Sequence, residues 1–410
     1  MRRLSSNDGR RLALLTAALL VPAASATDYT FTLVDAFTPN YGLRECYLYD
    51  INDDGMACGA ATIEIRWSGG TMITYTGFTW TPESGKTPAD ISWPHGLNQT
   101  GLVAGVSAIF DLNTRQPTTV PLLPNTYMPL ILHDVNDAGV AVGSVQICNC
   151  SNSQGFLQIP YVWDAASGPR TLPVPGANGL ARITNSGLVV GWIGGNSQAN
   201  SFLYDLETGQ YTLMSDVFSS PNIQTTATDV TEDGVVVGAR RENNGNVTYG
   251  YTWSPATGVT LLPLPPAGFQ PHVRPTSLNR SGVIVGSIYD MSGSSRAFVY
   301  DEAHGIRDLN TVSDAPSTFT MMTAVRVNSA GWIAGYGYGG GGMYKGYVLR
   351  PIVAGDIDRD GDVDLSDLTL LLSSFGACSG DANFAVAADL DGSGCVELAD
   401  LAVLLANYGA

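Results

Sequence analysis

The sequence predicts a mainly β protein, a seven-bladed β-propeller followed by a small α-helical module, and two internal repeats predict it. The first is seven-fold: Ile51-Asn52-Asp53-Asp54-Gly55, Leu97-Asn98-Gln99-Thr100-Gly101, Val135-Asn136-Asp137-Ala138-Gly139, Ile183-Thr184-Asn185-Ser186-Gly187, Val230-Thr231-Glu232-Asp233-Gly234, Leu278-Asn279-Arg280-Ser281-Gly282 and Val327-Asn328-Ser329-Ala330-Gly331. Its anchor glycines lie 46, 38, 48, 47, 48 and 49 residues apart, the period of four-stranded propeller blades. The second is two-fold and acidic: Asp356, Asp358, Asp360, Gly361, Asp362, Val363 and Asp367 recur 33 residues on as Asp389, Asp391, Ser393, Gly394, Cys395, Val396 and Asp400.

Each seven-fold copy reads as a hairpin. Asparagine bonds its own backbone two residues on and the later glycine takes positive φ, which closes a type I turn with a bulge between right-twisted strands. The run after each turn ends at Gly59, Gly105, Gly143, Gly191, Gly238, Gly286 or Gly335. Runs such as Val235-Val236-Val237 are apolar on both faces, as an inner strand squeezed between blades must be, and the closing glycines let backbones approach near the channel. Aromatic strands follow, from Gly77-Phe78-Thr79-Trp80 and Tyr161-Val162-Trp163-Asp164 to Gly346-Tyr347-Val348-Leu349. Large rings at one fixed place per blade suit inter-blade packing. Most lead into a further strand, as at 259–266 or 306–312. Copy seven has no room for one, and a strand-like segment at 30–37 stands unassigned. That segment is expected to complete the seventh blade and close the ring, since closure protects strand edges.

In the acidic repeat, carboxylates at loop positions 1, 3, 5 and 12 with glycine at 6 suit calcium, an ion that takes six to eight hard oxygens around a sharp turn. The geometry assigns Asp356, Asp358, Asp360, the Asp362 carbonyl, a water held by Asp364, and Asp367 to one ion. Asp389, Asp391, Ser393, the Cys395 carbonyl, Glu397 and Asp400 take the second, with fewer carboxylates and hence weaker binding. Each loop runs into an apolar helical segment, 365–375 and 398–408, stopped by Gly376 or Gly409.

Loop, single helix and duplication make residues 351–410 resemble a type I dockerin. The resemblance implies two calcium ions and docking to a cohesin-like or other surface receptor. Such modules choose partners through polar residues at loop positions 10 and 11; here Leu365-Ser366 and Leu398-Ala399 stand there, pointing to a receptor other than a standard cohesin. Over roughly 45–350 the paired signatures resemble the HAF family of extracellular repeats, which implies a propeller and export but no reaction.

Met1-Arg2-Arg3, Arg10-Arg11, an apolar core and Ala24-Ser25-Ala26 read as a signal peptide over 1–26, leaving a propeller at 27–350 and an exported, secreted or cell-surface product. No later run reaches the length of a membrane span. The formal charge is −17. Of it, −10 falls after residue 350, where eleven acids face Arg359 alone. That balance argues against nucleic acid or an anionic membrane as partner. Six cysteines permit disulfides in an exported chain; proximity favours Cys46 with Cys58, Cys148 with Cys150, and Cys378 with Cys395, without fixing the pairing.

No linear signature of hydrolytic or phosphate chemistry is present. His95 and His133 occupy equivalent blade positions six residues before their repeat glycines, which suits structural placement. Asp134, Asp229 and Asp290 are candidate acids for a site assembled around the channel, and the glycine-rich stretch 335–346 with Tyr336 and Tyr338 reads either as a mobile loop of the last blade or as a carbohydrate-stacking lip. The leading expectation is a monomeric, non-catalytic propeller binding a glycan or protein. The alternatives are a polysaccharide hydrolase or lyase and a passive surface protein. Paired carboxylates in the channel mouth would favour the hydrolase, and a shallow aromatic face would favour binding.

Overall fold

The computed structural model describes residues 28–409 apart from 38–44, 68–69, 127–128, 149–155, 195–199, 219–222, 243–244 and 340–342. The expected signal peptide and the Cys148–Cys150 pairing lie outside the described residues. Twenty-eight strands form seven four-stranded antiparallel sheets. Six blades are contiguous in sequence; the first comprises Cys46–Ile51, Ala57–Trp67, Gly70–Thr81 and Gly85–Ala89. The seventh joins Thr320–Val327, Ile333–Gly339 and Met343–Pro351 to the N-terminal strand Tyr29–Val34, in register from Tyr29 opposite Pro351 to Val34 opposite Gly346. The predicted closure therefore forms, and the two ends of the ring are joined by backbone hydrogen bonds.

All seven anchor glycines hold φ between 74° and 87°, as the turn requires. The closing glycines have a more specific reason than close approach near the channel. In six blades each faces a buried ring across the second and third strands: Gly59 opposite Phe78, Gly143 opposite Tyr161, Gly191 opposite Phe202, Gly238 opposite Tyr251, Gly286 opposite Phe298 and Gly335 opposite Tyr347. A Cβ at Gly59, Gly143 or Gly238 would sit 2.0, 2.0 or 1.8 Å from a carbonyl oxygen of the first strand. The register shifts beside that carbonyl in six of the seven blades. A β-bulge therefore recurs at Tyr49, His133, Ala181, Thr228, Thr276 and Val325, and bulges re-aim side chains.

Neighbouring inner-strand residues serve different interfaces. Val236 packs with Val190 and Trp253, Val237 with Ile284 and Phe298, and all six are buried. Cys46 and Cys58 split the same way, between the seventh-to-first and first-to-second interfaces. They point to opposite faces of one sheet, so both are free thiols and the expected bridge does not form.

The polypeptide leaves the last propeller strand directly into the acidic repeat, whose helices are Leu365–Ser374 and Leu398–Ala406. The halves exchange equivalent bonds: Gly376 donates to the Val396 carbonyl and Gly409 to that of Val363, both at 2.8 Å. Val363, Leu371, Ala388, Val396 and Leu404 form its fully buried core. Cys378 and Cys395 are bridged, as proximity favoured. Among the described residues no helix is long and apolar enough to cross a membrane.

Candidate functional site

The channel is lined by one residue per blade, two positions before each Asn or Thr of the repeat: Asp50, Gly96, Asp134, Arg182, Asp229, Ser277 and Arg326. The three aspartates are at most 4% exposed. Each stitches two blades through its carboxylate. Asp50 accepts from Ile51 N at 2.9 Å and Leu97 N at 3.0 Å; Asp134 from Val135 N at 2.9 Å and Ile183 N at 3.0 Å; Asp229 from Val230 N at 3.0 Å and Leu278 N at 3.2 Å. Two arginines neutralise them across the channel. Arg182 reaches Asp50 at 3.4 Å and Asp134 at 3.9 Å, while Arg326 reaches Asp50 at 3.2 Å and Asp229 at 2.7 Å. Burial raises the Asp134 carboxyl, with Arg182 opposing and Asp50 adding to the rise. The guanidinium of Arg326 is raised: burial works against its charge, but Asp229 and Asp50 outweigh it.

Asp134 and Asp229 thus meet in the channel as expected, but as inter-blade stitches. Asp290 does not join them. It closes a peripheral hairpin, accepting from Ser292 N at 2.9 Å and Ser294 N at 3.0 Å.

At the turn end of the channel the repeat asparagines form a second ring, and their role differs from the expected bond two residues on. Asn98 Oδ1 accepts from Leu102 N, four residues on, at 2.7 Å, and its Nδ2 donates to the Asn136 carbonyl of the next blade at 2.9 Å. Asn52, Asn136, Asn279 and Asn328 repeat both bonds, and Asn328 closes the circle onto the Asn52 carbonyl at 2.9 Å. Thr184 and Thr231 keep only the local bond.

The opposite mouth is aromatic. A cavity of about 230 Å³ there is lined by Tyr49, His95, His133, Arg182 and Trp192, among others. Rings follow one another around it: Tyr338 to Tyr344 at 4.8 Å, Tyr344 to Tyr47 at 5.3 Å, Tyr47 to Tyr49 at 6.4 Å, Tyr49 to His95 at 5.3 Å, His95 to His133 at 5.6 Å, and His133 to Trp192 at 5.6 Å. Trp93 lies against Tyr75 at 4.6 Å with the rings tilted by 38°, and it holds φ of 51°, a left-handed conformation that bulky residues rarely adopt. Burial lowers His95 to about 4 and His133 to about 3; Arg182 adds to the first, His95 and Arg182 to the second. Both imidazoles are neutral at pH 7. Tyr336 and Tyr338 belong to this arc and stand on the strand Ile333–Gly339 rather than in a loop. Tyr47, Tyr75, Trp93, Trp192 and Tyr344 were not singled out from sequence. Tyr49 had a usable signal, for it stands three residues before its repeat asparagine, as His95 and His133 do.

In the tail, Asp356, Asp358 and Asp367 converge within 4.8 Å, as do Asp389, Asp391 and Asp400. Asp367 Oδ1 accepts from Ile357 N at 2.6 Å and Oδ2 from Asp364 N at 2.8 Å; Asp400 repeats this with Leu390 N and Glu397 N, both at 2.7 Å. Asp356 Oδ1 and Asp389 Oδ1, at equivalent positions, are buried without a partner. An all-oxygen cluster with an orphaned buried carboxylate oxygen fits a hard cation. Burial raises Asp356, with Arg350 opposing and Asp367 adding repulsion; Asp362 is raised by its neighbours Asp360 and Asp364, with some desolvation. Asp364, expected to hold a water, caps the first helix by accepting from Ser366 N at 2.6 Å. Asp360 Oδ1 accepts from Asp362 N at 3.3 Å, and Ser393 Oγ donates to the Cys395 carbonyl at 3.1 Å. Arg350, from the last propeller strand, donates to the carbonyls of Asp360 and, at 2.6 Å, Arg359. A Cβ at Gly361 would strike that guanidinium.

No protein-family model and no curated protein matches the sequence. Among solved structures, the chain is similar to an acylaminoacyl peptidase of Pyrococcus horikoshii, with 11% identity, a TM-score of 0.52, and coverage of 75% of this chain and 52% of that one. An oligogalacturonate lyase in complex with manganese gives 12% identity, a TM-score of 0.51, and coverage of 80% of this chain and 98% of that one. The chain thus spans about half the peptidase's length and nearly all of the lyase's. At such identities the likeness is one of fold alone.

Proposed function

We propose that the protein is an exported, non-catalytic binding protein whose propeller takes a glycan at its aromatic mouth and whose tail, folded around two calcium ions, docks it to a surface or multiprotein assembly. The aromatic arc carries this reading. Sugars present flat C–H faces that stack on rings, and the cavity beside them supplies ring nitrogens and hydroxyls for orientation. The channel carboxylates count against hydrolysis at that centre, because an acid–base pair needs a carboxyl free to exchange a proton with substrate. Asp50, Asp134 and Asp229 are each held by two backbone amides and an arginine.

The tail reading rests on the orphaned oxygens of Asp356 and Asp389 and on its surface. Eight of the eighteen large exposed apolar side chains among the described residues fall between 365 and 408, with Leu365 64% and Leu398 73% exposed. Those two leucines occupy the positions that set partner choice in the modules the tail resembles. Apolar residues there suit a receptor with an apolar groove. The Cys378–Cys395 bridge accords with export.

A glycan array probed with and without a chelator tests both halves. Chelator-independent glycan capture by the propeller and chelator-sensitive capture of a partner through 351–410 are the expected results. Turnover of any glycan overturns the non-catalytic assignment.

A further inference from the structure

The continuous run of ring contacts at the mouth comes from blades one to four and seven. On blades five and six, one register position each that carries a ring in another blade carries an arginine. Arg241, Tyr289 and Tyr338 each stand three residues past the closing glycine of consecutive blades. Arg274, opposite Ser287, occupies the first-strand place that Tyr47, opposite Ala60, fills in blade one. Equivalent positions lie at the same height, so Arg241 and Arg274 face the same mouth as the arc.

These cations rest on rings. Arg240 lies over Phe218 at 5.5 Å and Tyr249 at 5.0 Å, and Arg274 over Tyr289 at 5.2 Å. Arg240 Nε and His272 Nδ1 are buried without hydrogen-bond partners. Arg241 and Arg274 are exposed. Arg241 donates through Nε to the Gly245 carbonyl at 2.9 Å; of the acids on these two blades, Glu242 follows it in the strand, and Asp290 caps its own hairpin and faces Arg296 at 3.5 Å. Against a chain of net charge −17, this is a local concentration of positive charge beside a stacking surface.

We infer that the glycan bound at this mouth is an acidic one, its sugar faces stacked along the aromatic arc and its carboxylate or sulfate groups received by the Arg241 and Arg274 side chains. This rests on the glycan-binding reading and specifies its ligand. A planar guanidinium suits such an anion because it offers two parallel N–H donors, and stacking on a ring fixes its orientation. The Coulombic share of the affinity is screened by salt.

Titration calorimetry of the whole protein with an oligouronate, its fully methyl-esterified counterpart and a sulfated oligosaccharide of matched charge tests this. The oligouronate should bind about tenfold or more tighter than the ester, a preference that the Arg241→Ala/Arg274→Ala variant removes without weakening the ester. A still tighter sulfated ligand, with the same response to that variant, supports the inference and identifies sulfate as the anion. Equal affinity for acid and ester, or an acid preference that survives in the variant, overturns the inference while glycan binding stands. Absence of binding to all three removes the glycan reading and this inference together. Both arginines are exposed, and circular dichroism of the variant should match the parent.

Discussion

In the propeller channel the buried carboxylates of Asp50, Asp134 and Asp229 meet backbone amides and an arginine, whereas in the tail Asp356 and Asp389 each keep a buried oxygen with no partner. The body spreads its apolar core over seven clusters between blades, while the tail has one, centred on five fully buried side chains. A buried charge is tolerable when its partners are built into the chain, as in the ring, and costly when they are not. The ring is therefore complete as a polypeptide, whereas the buried Asp356 and Asp389 oxygens lack a partner within the chain, the place that the proposed cation would fill. A small module has little core with which to resist the repulsion.

The largest effect expected from this contrast is on calcium removal. Calorimetry of the whole protein should show two transitions, with chelator abolishing the tail's and leaving the propeller's in place; a single transition that moves as one would break the comparison. Next is the ring closure. Deleting residues 28–34 strips the seventh blade of its outer strand and uncovers Phe319 and Tyr347, which pack with Phe31. The propeller transition should drop by well over ten degrees, and an unchanged value would refute closure as a source of stability.

Single members of the asparagine ring come third. Asn98→Ala loses its local bonds from Leu102 N and the Thr100 hydroxyl together with the inter-blade bond, leaving the Asn136 carbonyl only the turn bond from Gly139 N, a cost of about 2–3 kcal/mol in urea unfolding. Thr184→Ala loses only local bonds, to Leu188 N and the Ser186 hydroxyl, and should cost about 1 kcal/mol. Equal costs at the two positions would mean that the inter-blade bonds contribute nothing net.

The smallest effect is the pH dependence of the aromatic mouth. The unfolded chain protonates His95 and His133 near 6.5, whereas in the fold they resist protonation down to about 4 and 3. Their stability contribution is complete above 6.5 and is lost as pH falls from there through the folded values, because the unfolded state binds more protons. A His95→Gln/His133→Gln variant should show a shallower fall of melting temperature between pH 6.5 and 4 than the parent. Parallel profiles would show that the two imidazoles do not titrate with unfolding.

Much of the body was legible because the turn chemistry is local. Positive φ at Gly55 and its six counterparts follows from a four-residue motif, and the N-terminal strand was found by counting strands in the last blade. The aromatic mouth was not, because Tyr47, Trp93 and Trp192 are far apart in sequence and fall at different repeat positions. They reach one mouth only in the assembled ring, where Tyr49 links Tyr47 to Trp93, and His95 and His133 carry the contacts on to Trp192. The Asp50–Arg326 pair joins the first and last blades across 276 residues, beyond any local pattern.

By itself, then, the sequence determined the number of blades, the turns, the closing strand and the twinned acidic loops, since each is written in residues close together in the chain. Only the tertiary structure decided what those residues do across space. It made the channel aspartates stitches rather than acids, turned the repeat asparagines outward to the next blade, and kept Cys46 apart from Cys58. It also gathered rings from five blades and arginines from two at one mouth. The physical reason is closure: bringing the ends of the ring together fixes which side chains face inward, and no local propensity carries that information.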